Sequence, residues 1–554
     1  MTLSSGPARA VRIIRDLTAL LPSASDYRDL PRTWRGDLLA GVTVGIVALP
    51  LALAFGVSSG AGAESGLITA IVAGVVAAVF GGSHVQVSGP TGAMVVVLAP
   101  ILAVHGAGAL AAVCLMAGLI VLAAGMLRIG RTVGYIPWPV IEGFTLGIAV
   151  IIFLQQVPTA TGTEPGESTN ALVAAAQSLA VASWPKLGWS LLLVGIVVTV
   201  MLVSLKLHPR FPGSLLAIVI ASFLAALAGL PVDTIGALPV GLPAPSLPGL
   251  DTATLAALVG PAVAVAALAA IESLLSARVA STMADTGPYD ADRELVGQGL
   301  ASLAAGLFGG MPATGAIART AVNVRAGAHT RLASVSHGVL LLVIALIGAP
   351  IVAHIPLAAL AGVLMVTACR MITPSTVRTV LRSTRADAIV FCVTAVITIS
   401  VDLIYAVLIG LLVAGFFALR QLARASGVHR DDLPGAAQPG DERIALFRLE
   451  GALFFGAAER MLERVAELRG IEVVVIRMSQ LQILDATGAQ VITELITSLE
   501  RRGVTVLVKG IAPQHRGLAE RVGVLASLRH QNHLFDDLGT AVGHARSHVA
   551  RAAV

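Results

Sequence analysis

Two ionisable residues stand alone inside apolar sequence. Glu272 interrupts the run PAVAVAALAAIESLLSA at 261–277, and Arg319 follows one helical turn after Gly315 in GMPATGAIAR. A charge held in hydrocarbon is costly without a partner, so residues of this kind mark ligand or ion pathways first. Glu272 and Ser276 share a helix face at i, i+4 spacing. A buried carboxyl there can gain and lose a proton as a cavity opens to either side, or it can join Ser276 and backbone carbonyls as hard oxygen ligands for Na+. Arg319 supplies a full positive charge. Its structural alternatives are a strut paired with Glu272 and a side chain reaching out to the aqueous interface.

The segments around these charges repeat. AAVFGGSHVQVSGPTGAM at 77–94 and AAGLFGGMPATGAI at 304–317 each run from an apolar helix through a Phe-Gly-Gly break into a Pro/Thr/Gly turn and a second short apolar helix. Gly and Pro rupture a membrane helix only where the freed backbone groups meet protein, water or ligand. Seven spans separate the copies, so they insert in opposite orientations, an arrangement that places a binding site where two discontinuous helices meet. Short helices beginning near Thr91 and near Gly315 would each aim free N–H groups and roughly half a positive charge into one cavity. With Arg319 beside them, the site favours an anion.

The elements that carry these breaks are set by composition. A chain of 554 residues that is 56% hydrophobic and 12% charged, with mean hydropathy +0.87, belongs in a membrane. Apolar runs near 38–56, 65–80, 108–127, 136–157, 188–207, 214–230, 253–275, 334–354 and 386–420 approach the length needed to cross hydrocarbon, and the last is split at Asp402 into two. Shorter pieces near 91–104, 294–309, 315–325 and 356–369 bring the expected total to about fourteen. Residues 1–37 mix Arg with Asp and read as a cytoplasmic segment, not a secretory signal. Basic residues at Arg128, Arg131, Lys206, Arg210, Arg278, Arg293, Arg325, Arg331, Arg370, Arg378, Arg382 and Arg385 fall on the N-terminal side, while the opposite loops carry Lys186 alone. Both termini are therefore expected in the cytoplasm, with the chain multi-pass in the cytoplasmic membrane and bounded by its lipids. The formal charge of +5 follows from this topology and gives no reason to expect nucleic acid.

Several chemistries are not expected. Cys114, Cys369 and Cys392 lie in apolar runs and read as small buried hydrophobes, without a disulfide or metal role. No nucleotide loop, HExxH or Ser/His/Asp arrangement occurs, so no catalytic residue, cofactor or resident metal is expected and the chain does not read as an enzyme. His515, His530, His533, His544 and His548 lie in the tail, where a solvated surface is the default reading.

Specific stretches then match a known family. VSGPTGAM at 87–94, PLALAFG at 50–56 and ELVGQGLASLAAGLFGGMPATGAIARTAVNVRAG at 294–327 resemble the sulfate permease (SulP) anion transporters, bacterial relatives of the animal solute-carrier anion exchangers. The resemblance covers nearly the whole chain. It implies an α-helical polytopic membrane protein of about fourteen spans in two inverted seven-helix repeats, divided into core and gate domains, with elevator-like transport of sulfate, bicarbonate, chloride or dicarboxylates. The family is commonly dimeric, which implies a homodimer here. PLALAFG and ELVGQG are closest to the cyanobacterial sodium-bicarbonate branch. That branch has Asp at the position of Glu272 and a sodium-site Thr at that of Ile317, whereas Arg319 matches the wider anion-exchanging family; these differences favour H+ over Na+ as the coupling ion. The resemblance implies an anion contacted at Thr91, Gly92, Ala316, Ile317, Ala318 and Arg319, with coupling at Glu272 and Ser276. Rival readings are anion exchange on the same fold, a nucleobase permease and a membrane-tethered signalling scaffold.

Residues 440–554 alternate apolar strands at 444–451, 471–478 and 504–510 with helical stretches near 457–469, 487–502 and 514–523, an α/β pattern. LDATGAQV between the second strand and its helix resembles the loop of anti-sigma-factor antagonist (STAS) domains, which implies regulation at Asp485 and Thr487 and a cytoplasmic partner. A helix N-cap explains the same residues without regulation. The expected organisation is a cytoplasmic segment at 1–37, a transmembrane transport domain at 38–422, a linker at 423–439 and a STAS domain at 440–554.

Overall fold

The computed structural model describes residues 20–552 apart from 165, 167, 169, 208–212, 238–240, 250, 402, 426 and 454–469. The helical stretch expected near 457–469 and the break at Asp402 lie outside the described residues. The chain divides into a unit ending at Leu411 and a second from Leu412.

In the first unit each apolar run becomes a helix. The first half holds α1 (Leu30–Ser58), α2 (Gly62–Phe80), the two-residue strand β1 (Ser88–Gly89), α3 (Gly92–His105), α4 (Ala109–Met126), α5 (Trp138–Gln155), α6 (Lys186–Leu207) and α7 (Gly213–Leu227). The second half repeats the order with α8 (Val259–Met283), α9 (Ala291–Leu307), β2 (Thr314–Gly315), α10 (Ile317–Arg325), α11 (Arg331–Val352), α12 (Leu357–Met371), α13 (Arg385–Ser400) and α14 (Leu403–Ala425). Among the described residues nine helices are long and apolar enough to cross a membrane. The other five are α3, α7, α9, α10 and α13, of 14, 15, 17, 9 and 16 residues. At 1.5 Å per residue α3 and α10 extend only about 21 and 14 Å, so neither traverses some 30 Å of hydrocarbon alone.

Two sets of helices pack within this unit. The core set is α1–α4 with α8–α11, in which α9 lies along α2 and α4, and α11 along α1 and α2. The gate set is α5–α7 with α12 and α13, in which α13 lies on α5, and α12 on α6, while α14 continues past Leu411 into the second unit. Lipid supplies no hydrophobic drive between helices, so close approach depends on small residues. A Cβ on Gly299 of α9 would lie 2.5 Å from the Leu122 amide of α4, and one on Gly118 of α4 would lie 2.9 Å from that of Leu303. Outward residues such as Leu119, Phe223, Ile347 and Phe416 are exposed to what is lipid in the membrane. For the same reason Cys369 and Cys392 are exposed, in correction of their reading as buried residues, whereas Cys114 is buried.

The N-terminal segment is also part of the core, where the sequence suggested a separate leader. α1 begins at Leu30, and Asp37 is fully buried, accepting from the Thr330 and His329 amides at 2.9 and 2.6 Å. Asp26 takes a bidentate pair from Arg293 at 3.0 and 2.7 Å, with Arg331 at 3.8 Å. These two arginines, expected as topological surface charges, are buried.

The second unit is a five-stranded sheet in the order β3 (Gly427–Asp431), β4 (Ile444–Leu453), β5 (Val473–Leu484), β6 (Thr505–Lys509), β7 (Leu534–Phe535). β3 is antiparallel to β4 and the remaining pairs are parallel. The segment expected as a linker at 423–439 therefore contributes an edge strand. α15 (Ala486–Arg501) and α16 (Pro513–Val522) cover one face through Ile492, Leu495 and Ala519. α17 (Leu538–Ala552) covers the other through Ala541, Ala545 and Val549.

Burial raises the Asp26 carboxyl, but hydrogen bonds from Arg293 and the Ser23 amide and the charges of Arg331 and Arg293 outweigh it and hold the group at about 2. Its stabilising contribution is thus present above the ordinary value of 3.8 and disappears as pH falls through about 2. Asp26→Asn, which leaves two buried guanidinium groups without their counter-charge, is expected to cost about 3 kcal/mol at pH 7. Thermal unfolding in detergent should show that difference at pH 7 and lose it towards pH 2.

Candidate functional site

Both helix breaks meet at one point. β1 and β2 pair antiparallel, Ser88 with Gly315 and Gly89 with Thr314. The Ala316 amide donates to the Val87 carbonyl at 2.8 Å, and the Val87 amide donates to Thr320 Oγ1 at 3.0 Å. Because the strands are antiparallel, the half-helices α3 and α10 that follow them start at the crossing and run in opposite directions.

Each extended segment is held by polar side chains of the surrounding helices. On the first copy, Glu294 accepts from the Gly82 and Ser83 amides at 2.8 and 3.1 Å, Asn323 donates to the Val85 carbonyl at 2.8 Å, and Ser334 to the Gln86 carbonyl at 2.7 Å. On the second, Thr69 Oγ1 accepts from the Met311 amide at 2.7 Å and Ser273 Oγ from the Gly315 amide at 3.0 Å. Broken backbone inside a membrane requires this degree of satisfaction.

What the bracing leaves free are the helix starts. Thr91 caps α3 and Ala316 caps α10, neither with a side-chain cap bond. Among the described residues the amides of Gly92, Ala93 and Met94, and of Ile317, Ala318 and Arg319, have no acceptor. Thr91, Gly92 and Ala316 are buried, while Ile317 and Ala318 are exposed at the mouth of α10. Six amides with the positive ends of two helix dipoles thus converge on one place.

The two isolated charges flank it. Glu272 on α8 accepts through Oε2 from Thr91 Oγ1 and Thr314 Oγ1, each at 2.8 Å, and the two hydroxyls lie 3.0 Å apart. A hydroxyl carries one proton, so Thr314 donates either to Glu272 or to Thr91, not to both. Ser276, expected beside Glu272, instead meets Thr320 Oγ1 at 3.3 Å. Arg319 is 2% exposed, donates through Nη2 to the Pro90 carbonyl and has Nη1 buried without a partner. It does not reach the aqueous interface, and it makes no ion pair with Glu272. Its guanidinium lies against β1, with Nη1 2.7 Å from where a Cβ on Gly89 would stand.

Thr314 is the residue that sequence reasoning missed. The signal was present, because Thr91-Gly92-Ala93 and Thr314-Gly315-Ala316 are the same tripeptide in the two copies. Buried His337 on α11 also went unremarked, with neither ring nitrogen bonded. In the second unit Asp485 caps α15 by accepting from the Gly488 amide at 2.7 Å, and Thr487 lies exposed in the first turn.

A helical membrane core with two opposed half-helix starts, followed by a mixed α/β unit with a capped loop after its second parallel strand, defines a polytopic transporter architecture with a C-terminal α/β domain. The chain belongs to the sulfate permease family: that family's model matches residues 34–394, and the STAS domain model matches 436–541. It is 35% identical to YvdB of Bacillus subtilis, by name a candidate sulfate transporter, over 90% of this chain and 96% of that one. It is 31% identical to the bicarbonate transporter BicA of Synechocystis, over 92% and 94%. Among solved structures, the BicA transmembrane domain superposes with a TM-score of 0.63 at 33% identity, covering 68% of this chain and 98% of that domain. The murine solute carrier 26 member A9 anion transporter in its inward-facing state shares the fold at a TM-score of 0.81 and 17% identity, over 99% and 96%.

A Cβ on Gly92 would lie 2.2 Å from Ile152 Cδ1, across the contact between the core helix α3 and the gate helix α5. Gly92→Ala is expected to cost about 1–3 kcal/mol through overpacking. In a double-mutant cycle, Ile152→Ala should recover much of that loss in unfolding measurements, since the two residues touch.

Proposed function

We propose that this protein is a secondary active transporter, not an enzyme, that carries a small inorganic anion across the cytoplasmic membrane by an elevator-like movement of the core set against the gate set. The observation that carries the reading is the convergence of six unpaired amides, two helix dipoles and the buried Arg319 on one point, with Glu272 beside it. The anion sits between the starts of α3 and α10, bound by backbone from Thr91–Gly92 and Ala316–Ala318. The division of the first unit into two helix sets supports the elevator.

Charge arithmetic links substrate to coupling. Two helix starts at about +0.5 each and Arg319 at +1 give about +2, which ionised Glu272 reduces to about +1. A divalent anion therefore fits the site when Glu272 is protonated, and a monovalent one when it is ionised. Proton-coupled sulfate uptake is the leading reading, supported by the name of the Bacillus relative. The compact set of Glu272, Thr91 and Thr314 oxygens also suits Na+, and with the Synechocystis relative's name it supports sodium-coupled bicarbonate transport as the second. Both termini face the cytoplasm, the transporter is a homodimer, and a cytoplasmic partner reads the STAS domain at Asp485 and Thr487.

The test is uptake of labelled sulfate and, separately, bicarbonate into proteoliposomes under imposed proton or sodium gradients. Proton-driven sulfate uptake should lose its gradient dependence in Glu272→Gln, and Arg319→Ala should reduce uptake at least about tenfold, equivalent to about 1.4 kcal/mol. Sodium-driven bicarbonate uptake would establish the second reading, and gradient-independent, non-saturable flux would overturn both. Thr314→Val, which removes one hydroxyl from Glu272 at almost constant volume, should shift the pH dependence of transport more than it reduces the amount of folded protein.

A further inference from the structure

Three histidines expected on a solvated surface converge in the second unit. His533 ends the turn before β7, and His544 and His548 stand one helical turn apart on α17. Each can offer a ring nitrogen so that all three lie within 4.8 Å of one another, and the Nε2 atoms of His544 and His548 are 3.2 Å apart. Ligands 2.0–2.1 Å from a tetrahedral Zn2+ are separated by about 3.3 Å, so the hydrogen-bonded nitrogens of His544 and His548 already stand at that spacing, and the other separations need to contract by at most about 1.5 Å.

The third ligand is poised independently. His533 is 2% exposed, yet its Nδ1 has no hydrogen-bond partner. A buried ring nitrogen left without a hydrogen bond is available to a ligand. The nearby cations are engaged elsewhere, Arg529 with Glu500 at 3.0 Å and Arg551 with Ser547 at 3.1 Å.

We propose that His533, His544 and His548 form a binding site for a divalent transition-metal ion, Zn2+ foremost, with water as the fourth ligand. Three neutral nitrogens and no carboxylate select against Ca2+ and Mg2+, which require oxygen. Phe535, whose ring lies 5.3 Å from that of His544, shields one side. The site is independent of the anion site and of the transport reading.

The experiment uses the full chain in detergent, without a polyhistidine tag, stripped with a chelator and titrated with Zn2+ against a competing indicator. One Zn2+ per chain is expected. His544→Ala and His548→Ala, at half-buried positions that spare the fold, should each weaken binding by about 100-fold or more, exceeding the 10–100-fold typical of outer-shell losses. The Co2+ form should show visible bands of a tetrahedral nitrogen and oxygen set without thiolate charge transfer, which separates this site from Cys369 and Cys392. No Zn2+ uptake at micromolar concentration, or equal uptake by a folded His544→Ala/His548→Ala double variant, overturns the proposal.

Discussion

The transport unit depends on four residues of backbone. Where β1 crosses β2, two helices have been broken inside a membrane, and every amide and carbonyl freed by the breaks must find a partner or a ligand. Two residue pairs of antiparallel ladder and the Ala316–Val87 bond satisfy the centre. Glu294, Asn323, Ser334, Thr69 and Ser273 satisfy the flanks. The residues that brace the break are thus as much a part of the site as those that line it. The buried Asp26 and Asp37 extend the bracing to the N-terminal segment, which explains why charged residues there are packed against α9 and α11.

The site is economical in its use of side chains. One carboxylate and two hydroxyls stand at the crossing, and the other donors there are backbone amides. Amides at a helix start are fixed by the helix and carry no net charge that needs a counter-ion, so the crossing presents donors without an exposed cation inside hydrocarbon. Arg319, which carries such a charge, is placed behind the strands, where the Pro90 carbonyl engages it.

Much of this was legible in the sequence, for physical reasons. Apolar runs must be helices in lipid, so all fourteen expected segments coincide with helices, and the repeated break fixed the site because Gly and Pro are tolerated at depth only for cause. Thr314 was obscured because attention to helix starts set Gly315 against Thr91, although the shared Thr-Gly-Ala pointed to the residue before it. The exposure of Cys369 and Cys392 was misread because an apolar surrounding in sequence does not distinguish protein from lipid. The strand at Gly427–Asp431 was hidden by its polar residues, which an edge strand accepts. The histidine cluster went unread since its members are eleven and four residues apart and only the fold brings the β7 turn against α17. His544 and His548 alone, at helical spacing, carried a signal.

The crossing also has a temporal side. Apart from the Gly81–Ala77 bond, the partners of the Gly81–Pro90 segment are drawn from residues 273 to 334, and Val87 is bonded by Ala316 and Thr320, more than two hundred positions downstream. At ribosomal speeds of about 5–20 residues per second, the first broken helix waits on the order of ten to fifty seconds in the bilayer before its counterpart exists. During that interval its open amides and carbonyls require water, lipid headgroups or the insertion machinery as surrogate partners. Biogenesis of this fold is therefore limited by how long a nascent half can be sheltered, and the second half acts as the intramolecular chaperone of the first.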